Sequence, residues 1–225
     1  MAQPASQRNS GPTRTELLVD AGALVSYLAA RLALPVADAP DDPPLPATPR
    51  AAGVLLPLYA RDGRPHLLFT RRAPTLRAHR GEISFPGGSQ DATDATLAAT
   101  ALREADEELR IPPAGVTVLG QLRPVFTVVS NFLITPVVGW LGEGAVAVEP
   151  NPAEVAAVIE APLAALADPA IFHIERWTRS GRQVPVYFYD LGPNRIWGAT
   201  GRIVAEFFAL LPNDDEQAAS ASAPA

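Results

Sequence analysis

Apolar residues first recur at helical spacing between residues 15 and 34. Leu17, Ala21, Leu24, Leu28 and Leu32 share one stripe, with Thr15 placed to cap it. The pattern predicts an N-terminal amphipathic helix over 14–34 that serves as packing or as a lid rather than in chemistry. Six prolines between residues 35 and 49 exclude helix and interior strand, so 35–50 is expected to be an extended connector. Alternation then predicts strands over 51–60 and 65–71. They flank the turn Arg61-Asp62-Gly63-Arg64, where Gly63 supplies positive φ. A polar loop, 73–80, leads to a short strand, 82–85. A second helix is expected from a cap at Asp94 to Leu109, stopped by Pro112-Pro113. Strands follow over 116–123, 132–140 and 154–160, then a helical turn over 163–166. Paired strands over 171–176 and 184–190 meet at Ser180-Gly181, and a last helix spans 198–211 with Ile203, Phe207 and Leu210 on one face. The polar start, 1–13, and the low-complexity tail, 212–225, are expected to be disordered. The sum is a mixed sheet with three main helices in one domain over 14–211, an α+β fold or an α/β/α sandwich.

Composition narrows the function. A chain of 225 residues with 48% hydrophobic and 19% charged content can bury a proper core. Its longest aliphatic stretch, 155–167, is broken by Glu160 and Pro162, short of the roughly 18 apolar residues that a membrane span needs. The N-terminus has no apolar signal core, and with no cysteine there is neither disulfide framework nor thiol nucleophile. A cytoplasmic location is the simplest reading. All 18 basic residues are arginine, which excludes a P-loop lysine and a Schiff-base lysine. Net charge of −6 argues against general nucleic-acid binding. Residues 61–80 are nonetheless locally basic, with six arginines against Asp62 alone. That segment reads either as a site for a specific anionic ligand or as a solvated surface.

The second helix carries the chemistry. At ~100° per residue, Ala98, Ala101, Leu102, Ala105 and Leu109 form its core stripe, and Glu104, Glu107 and Glu108 lie on the neighbouring arc. Like charges at i, i+3 and i+4 repel, and Arg103 reaches only Glu107 at i+4. A divalent cation would neutralise the rest. Magnesium suits the set, since it takes oxygen ligands and uses one or two carboxylates plus phosphate oxygens. The alternative is a solvated acidic face. Upstream, Pro86-Gly87-Gly88 follows a strand, and glycine lets backbone approach a ligand or metal closely.

These residues resemble the Nudix hydrolase signature. That signature is a glycine, a spacer containing a glutamate, then Arg-Glu-apolar-x-Glu-Glu-x-Gly-apolar. Gly88, Arg103-Glu104-Ala105-Asp106-Glu107-Glu108 and Leu109-Arg110-Ile111 occupy the frame. The spacer is one residue longer than the commonest form, and its glutamate has only Asp94 as nearest counterpart. Arg110 replaces the late glycine, which predicts a different exit from the helix. Leu67-Leu68-Phe69-Thr70-Arg71-Arg72 and Leu76-Arg77-Ala78-His79-Arg80-Gly81-Glu82-Ile83-Ser84-Phe85-Pro86-Gly87-Gly88 resemble the motif upstream of that box in coenzyme A diphosphatases. Arg195-Ile196-Trp197-Gly198-Ala199-Thr200 is similar to the C-terminal segment of the same subfamily.

The resemblance implies a Nudix fold, an α/β/α sandwich with a mixed sheet and a loop–helix–loop box. It implies hydrolysis of the pyrophosphate of coenzyme A or acyl-coenzyme A to 3′,5′-ADP and 4′-phosphopantetheine, with Mg²⁺ or Mn²⁺ as cofactor. Glu104 and Glu108 would hold the metal, with Glu107 a third ligand or water-orienting group and a Gly87 or Gly88 carbonyl completing the shell. Arg103 would position a glutamate. Arg71, Arg72, Arg77, His79 and Arg80 are candidates for the substrate phosphates. Glu82 is an outer metal ligand or an ion-pair partner, and Glu154 a general base from outside the box or a plain acidic strand end. A Nudix hydrolase of ADP-ribose or NADH, and a non-catalytic nucleotide-binding domain, are the rival readings. Neither nucleic acid nor membrane is expected as partner, and a homo-oligomer is left open.

Overall fold

Strand β1 (Arg50–Arg61) lies at the middle of the main sheet in the computed structural model, which describes residues 11–33, 48–75, 80–144, 146–179 and 181–213. Most of the proline-rich connector, residues 1–10 and 214–225, and Arg77 and His79 lie outside the described residues. The second half of β1 pairs antiparallel with β2 (Arg64–Arg72) through the expected tight turn, where Asp62 and Gly63 take φ of 52° and 70°. Two successive positive φ values give a turn whose twist matches the flanking strands. The first half of β1 pairs with β4 (Gly87–Ser89), and its other edge runs parallel to β7 (Phe132–Glu143). β3 (Ile83–Ser84) and β8 (Val155–Pro162) pair with β2, while β5 (Thr117–Gln121) and β6 (Val125–Thr127) pair with β7. One parallel pair among antiparallel ones makes the sheet mixed, as expected.

Alternation along β1 builds two cores. Leu55 and Tyr59 pack with Ala101, Ala105 and Leu109 of α3 (Leu97–Leu109) on one face. Leu56 and Leu58 pack on the other face with Leu17 of α1 (Arg14–Val19), Leu24 and Leu28 of α2 (Ala21–Leu32), and Phe207 of a C-terminal helix. Each such leucine, taken fully out of water, contributes roughly 2 kcal/mol. Helices on both faces of a mixed sheet make the α/β/α sandwich. A second sheet of β9 (Phe172–Arg179), β10 (Arg182–Leu191) and β11 (Asn194–Trp197) carries that helix, α5 (Gly198–Ala209). The expected turn over 163–166 is the short helix α4 (Leu163–Leu166).

Four local expectations are corrected. The N-terminal helix is two helices, because Asp20 leaves helical geometry and caps α2 by accepting from the Ala23 N–H at 2.9 Å. Thr13, not Thr15, caps α1, in a capping box with Glu16 worth about 1 kcal/mol. Thr96, not Asp94, caps α3, its hydroxyl accepting from the Ala99 N–H at 3.1 Å. The prolines do not stop α3: Arg110 does, in a left-handed conformation (φ 56°, ψ 37°). The exit is thus the kind glycine usually makes, taken here by arginine.

Candidate active site

Gly53 is what lets α3 lie on the sheet. A Cβ there would stand 2.2 Å from the Leu97 carbonyl oxygen, so only glycine allows so close an approach. The helix then presents Glu104 and Glu108, one turn apart, to the β4 strand. The Glu104 carboxylate packs on the Gly88 backbone, where a Cβ would stand 2.5 Å from Oε1. Glu108 is 4% exposed. Burial pushes its carboxyl up to about 8, against the pull of the Arg72 guanidinium beside it. Glu154 and Glu104 push it further up, and the Gly87 N–H hydrogen bond holds it down. Burial raises Glu104 as well, with Arg103 opposing and Glu107 and Glu154 adding to the rise.

Glu107 departs from the expected trio. A single residue step rotates it about 100° from Glu108. Its side chain is 53% exposed and pairs with Arg103 Nη1 at 3.0 Å. Packing buries the stripe of Ala101, Ala105 and Glu108 and leaves Glu107 at the edge, outside the cleft lining. Glu154, just before β8, lines the cleft instead, close enough to Glu104 and Glu108 to act on both carboxylates. Among the described residues no three histidine or acidic side chains form a ready-made metal cage. Glu104 and Glu108 are nevertheless hard oxygen donors one helical turn apart in the cleft, and Gly88 leaves no Cβ between the Glu104 carboxylate and the backbone. That donor set fits a cation that retains waters and shares substrate oxygens.

Arg103 is occupied by protein. Its Nη2 lies 3.0 Å from Glu104 Oε1 and donates to the Ser89 carbonyl at 3.2 Å, and its Nε donates to Asp94 Oδ1 at 3.1 Å. It holds carboxylates and loop in place, as a positioning group would.

The basic patch divides. Arg71 and Arg72 are adjacent on β2 and point to opposite faces. Arg72 enters the cleft beside Glu108. Arg71 does not, and instead donates to Asn194 Oδ1 at 2.5 Å and to the Gly81 carbonyl at 3.3 Å. Arg80 is exposed and outside the cleft lining. Glu82 lines the cleft.

The cleft itself has a volume of about 1340 Å³. Its lining adds two arginines not foreseen from sequence: Arg50, stacked 4.3 Å from the Phe132 ring centre, and Arg202, 3.5 Å from Glu206 Oε1. Phe126, Val128, Val129, Val184, Val186 and Trp197 supply an apolar wall. Arg50 opens a strand and Arg202 sits within a helix, and no motif marks either. The i, i+4 pair Arg202–Glu206 was the one available signal. Among the described residues no helix is long and apolar enough to cross a membrane.

The family described as the NUDIX domain matches residues 48–179. An uncharacterized Nudix hydrolase, NudL, of Photorhabdus laumondii is 45% identical over 155 residues, covering 69% of this chain and 81% of the relative. NudL of Klebsiella pneumoniae (strain 342), also uncharacterized, is 43% identical over 157 residues, covering 70% and 80%. Among solved structures, a Nudix hydrolase of M. smegmatis, RenU, aligns with a TM-score of 0.45 and 24% identity over 53% of this chain and 74% of its own.

Proposed function

Since this chain belongs to the Nudix family of hydrolases, which act on pyrophosphate bonds in nucleoside diphosphate derivatives, we propose that its substrate is coenzyme A or a coenzyme A thioester. One observation carries the reading. A single cleft joins carboxylates at Glu104, Glu108 and Glu154, guanidinium groups at Arg50, Arg72 and Arg202, and a long apolar wall. Coenzyme A has the matching parts: a pyrophosphate, a further phosphate, and a largely uncharged arm. At about 1340 Å³ the cleft is larger than a drug-sized ligand needs and suits a molecule of that length. The upstream motif ending at Gly88 supports the same choice.

Nudix hydrolases generally use divalent metals such as Mg²⁺ or Mn²⁺. Here Glu104 and Glu108, with the Gly88 backbone beside Glu104, would hold the ion. When bound, the ion supplies charge neutralisation for the phosphoryl oxygens. The chain's own groups do the rest. Arg72 draws the pyrophosphate toward Glu108 by a charge-assisted hydrogen bond. Glu154 takes the proton of the attacking water as general base. Arg103 fixes Glu104 and the Ser89–Asp94 loop. Glu107 acts through Arg103, at the cleft edge. The products are 3′,5′-ADP and 4′-phosphopantetheine, or its acyl form.

The test is product analysis on coenzyme A, acetyl-coenzyme A and ADP-ribose in parallel, with Mg²⁺ and with Mn²⁺. Coenzyme A and its thioester are expected to be cleaved, and Glu104→Gln to abolish the cleavage. Strong preference for ADP-ribose would overturn the substrate. An inert protein that binds nucleotide without a divalent ion would overturn the catalytic reading.

A further inference from the structure

The segment 149–154 runs along the end of α3, and one residue in it uses all of its polar groups. The Asn151 N–H donates to the Glu108 carbonyl at 2.8 Å, and the neighbouring Glu149 N–H donates to the Leu109 carbonyl at 2.9 Å. These carbonyls belong to the last turn of α3, which has no helical partners for them. The Asn151 carbonyl accepts from the Glu154 N–H at 3.0 Å and from the Val155 N–H at 2.8 Å. Its side-chain Oδ1 accepts from the Ala153 N–H at 3.1 Å, closing a tight Asx turn. Its Nδ2 then donates to Glu154 Oε1 at 3.1 Å. On the far side, the Glu154 carbonyl accepts from the Ala73 N–H at 2.7 Å, one residue past Arg72. Glu154 is therefore tied by backbone to the strand that carries Arg72, and by side chain to a residue bonded to Glu108.

We propose that Asn151 is a positioning residue that sets the Glu154 carboxylate over the cleft relative to Glu108. This rests on the reading of Glu154 as the general base. A short amide is the side chain that meets both demands, since it must accept from one neighbour and donate to the other. Without that donor the Glu154 carboxylate would lose the hydrogen bond that fixes its place and would swing toward solvent. Pro152 adds to the fix, because the residue before a proline is confined to extended backbone.

Aspartate and serine at position 151 both keep an oxygen to accept from the Ala153 N–H, and neither can donate to Glu154 as the amide does. The test compares Asn151→Asp, Asn151→Ser, Glu154→Gln and the Asn151→Ser/Glu154→Gln pair. It uses whichever pyrophosphate substrate the parallel assay returns, with melting curves recorded for each variant. Both single changes at 151 are expected to lower kcat by about 10- to 100-fold, the usual size for loss of a supporting hydrogen bond. KM should stay near wild type, and Asn151→Ser should have little further effect once Glu154 is glutamine. If Glu154→Gln is impaired but both 151 variants keep wild-type kcat, Asn151 only shapes the loop and the proposal is overturned, while the reading of Glu154 stands. If Glu154→Gln itself has wild-type kcat, that reading fails and takes the proposal with it. An undiminished effect of Asn151→Ser in the Glu154→Gln background also overturns the proposal.

Discussion

Arg103 grips Asp94 with two nitrogens, Nε to Oδ1 at 3.1 Å and Nη2 to Oδ2 at 3.1 Å. The guanidinium holds the Asp94 carboxyl down to about 2, helped by the Asp91 N–H and opposed by desolvation. The same guanidinium touches Glu104, Glu107 and the Ser89 carbonyl. Asp94 thus pins the loop after β4 to the helix bearing Glu104 and Glu108. In the Nudix frame it stands nearest the spacer glutamate.

The fork geometry makes the pair sensitive to shape as well as charge. Lysine at 103 keeps the charge but presents one point in place of two parallel donors. Arg103→Lys is expected to lower kcat on the order of tenfold and to lower the melting temperature. Asp94→Asn should do the same, whereas Asp94→Glu should retain most activity. Kinetics and melting curves on the three variants check this. Equal activity for Asp94→Asn and wild type would remove the pair from any role in positioning Glu104.

Much of this was legible in the sequence, for reasons that differ by element. The β1–β2 hairpin was readable because Asp62-Gly63 is a local signal and needs no tertiary partner. The end of α3 at Leu109 was readable, but its cause was not. The missing glycine at Arg110 pointed to a different exit, yet Arg110 makes the glycine-type exit itself, in a conformation that its residue type seldom takes. The break at Asp20 was hidden because the apolar stripe of Leu17, Ala21 and Leu24 continues across it. β6 and β11, with three and four residues, are too short to show a period, and Gly87–Ser89 has no apolar side chain to alternate. At the site, spacing put Glu104 and Glu108 on one arc, and both line the cleft. Glu107 was grouped with them because a helical wheel gives angle but not which arc the sheet covers. Arg71 and Arg72 looked alike in sequence, and only their placement on a strand separates them.

That separation makes a prediction. Arg72 lies in the cleft by Glu108, and its buried Nε has no hydrogen-bond partner among the described residues. Arg71 is spent on Asn194 and Gly81. Arg72→Ala is expected to lower kcat/KM on the order of 10²-fold, the size of losing a charged donor to a phosphoryl oxygen. Arg71→Ala should leave kcat/KM near wild type and lower the melting temperature, because it unties β11 from β2. Reversed effects would assign the substrate contact to Arg71.

Gly88→Ala offers a test confined to one carboxylate. The added Cβ would meet Glu104 Oε1 at 2.5 Å, which is the movable end of a flexible side chain rather than backbone. Folding should tolerate the change, since Gly88 is not among the glycines with positive φ. The carboxylate must give way. A displacement of about 1 Å at a reacting centre costs on the order of 10² in rate. Gly88→Ala is expected to fold with a melting temperature near wild type, and to lose about that factor in kcat. Full activity would show that Glu104 has no fixed place to lose.

The buried carboxyl of Glu108 ties stability, pH and metal together. Its value rises from the ordinary 4.5 to about 8 on folding, chiefly through burial. Between those values the folded chain binds more protons than the unfolded chain, so raising pH across that window removes stability. The raised Glu104 adds to the trend with the same sign. Metal-free protein is therefore expected to melt progressively lower as pH rises from about 5 to 9. Glu108→Gln, which has no charge to bury, should melt higher than wild type at the alkaline end by on the order of a few degrees and show a flatter profile. A divalent cation needs the carboxylate, so its binding opposes the proton. The rise in melting temperature with saturating Mg²⁺ should grow from pH 6 to pH 9 in the wild type, and should be largely lost in Glu108→Gln. Melting curves with and without Mg²⁺ across this range decide the matter. Parallel profiles for the two proteins would mean that Glu108 neither carries the burial cost nor meets the ion.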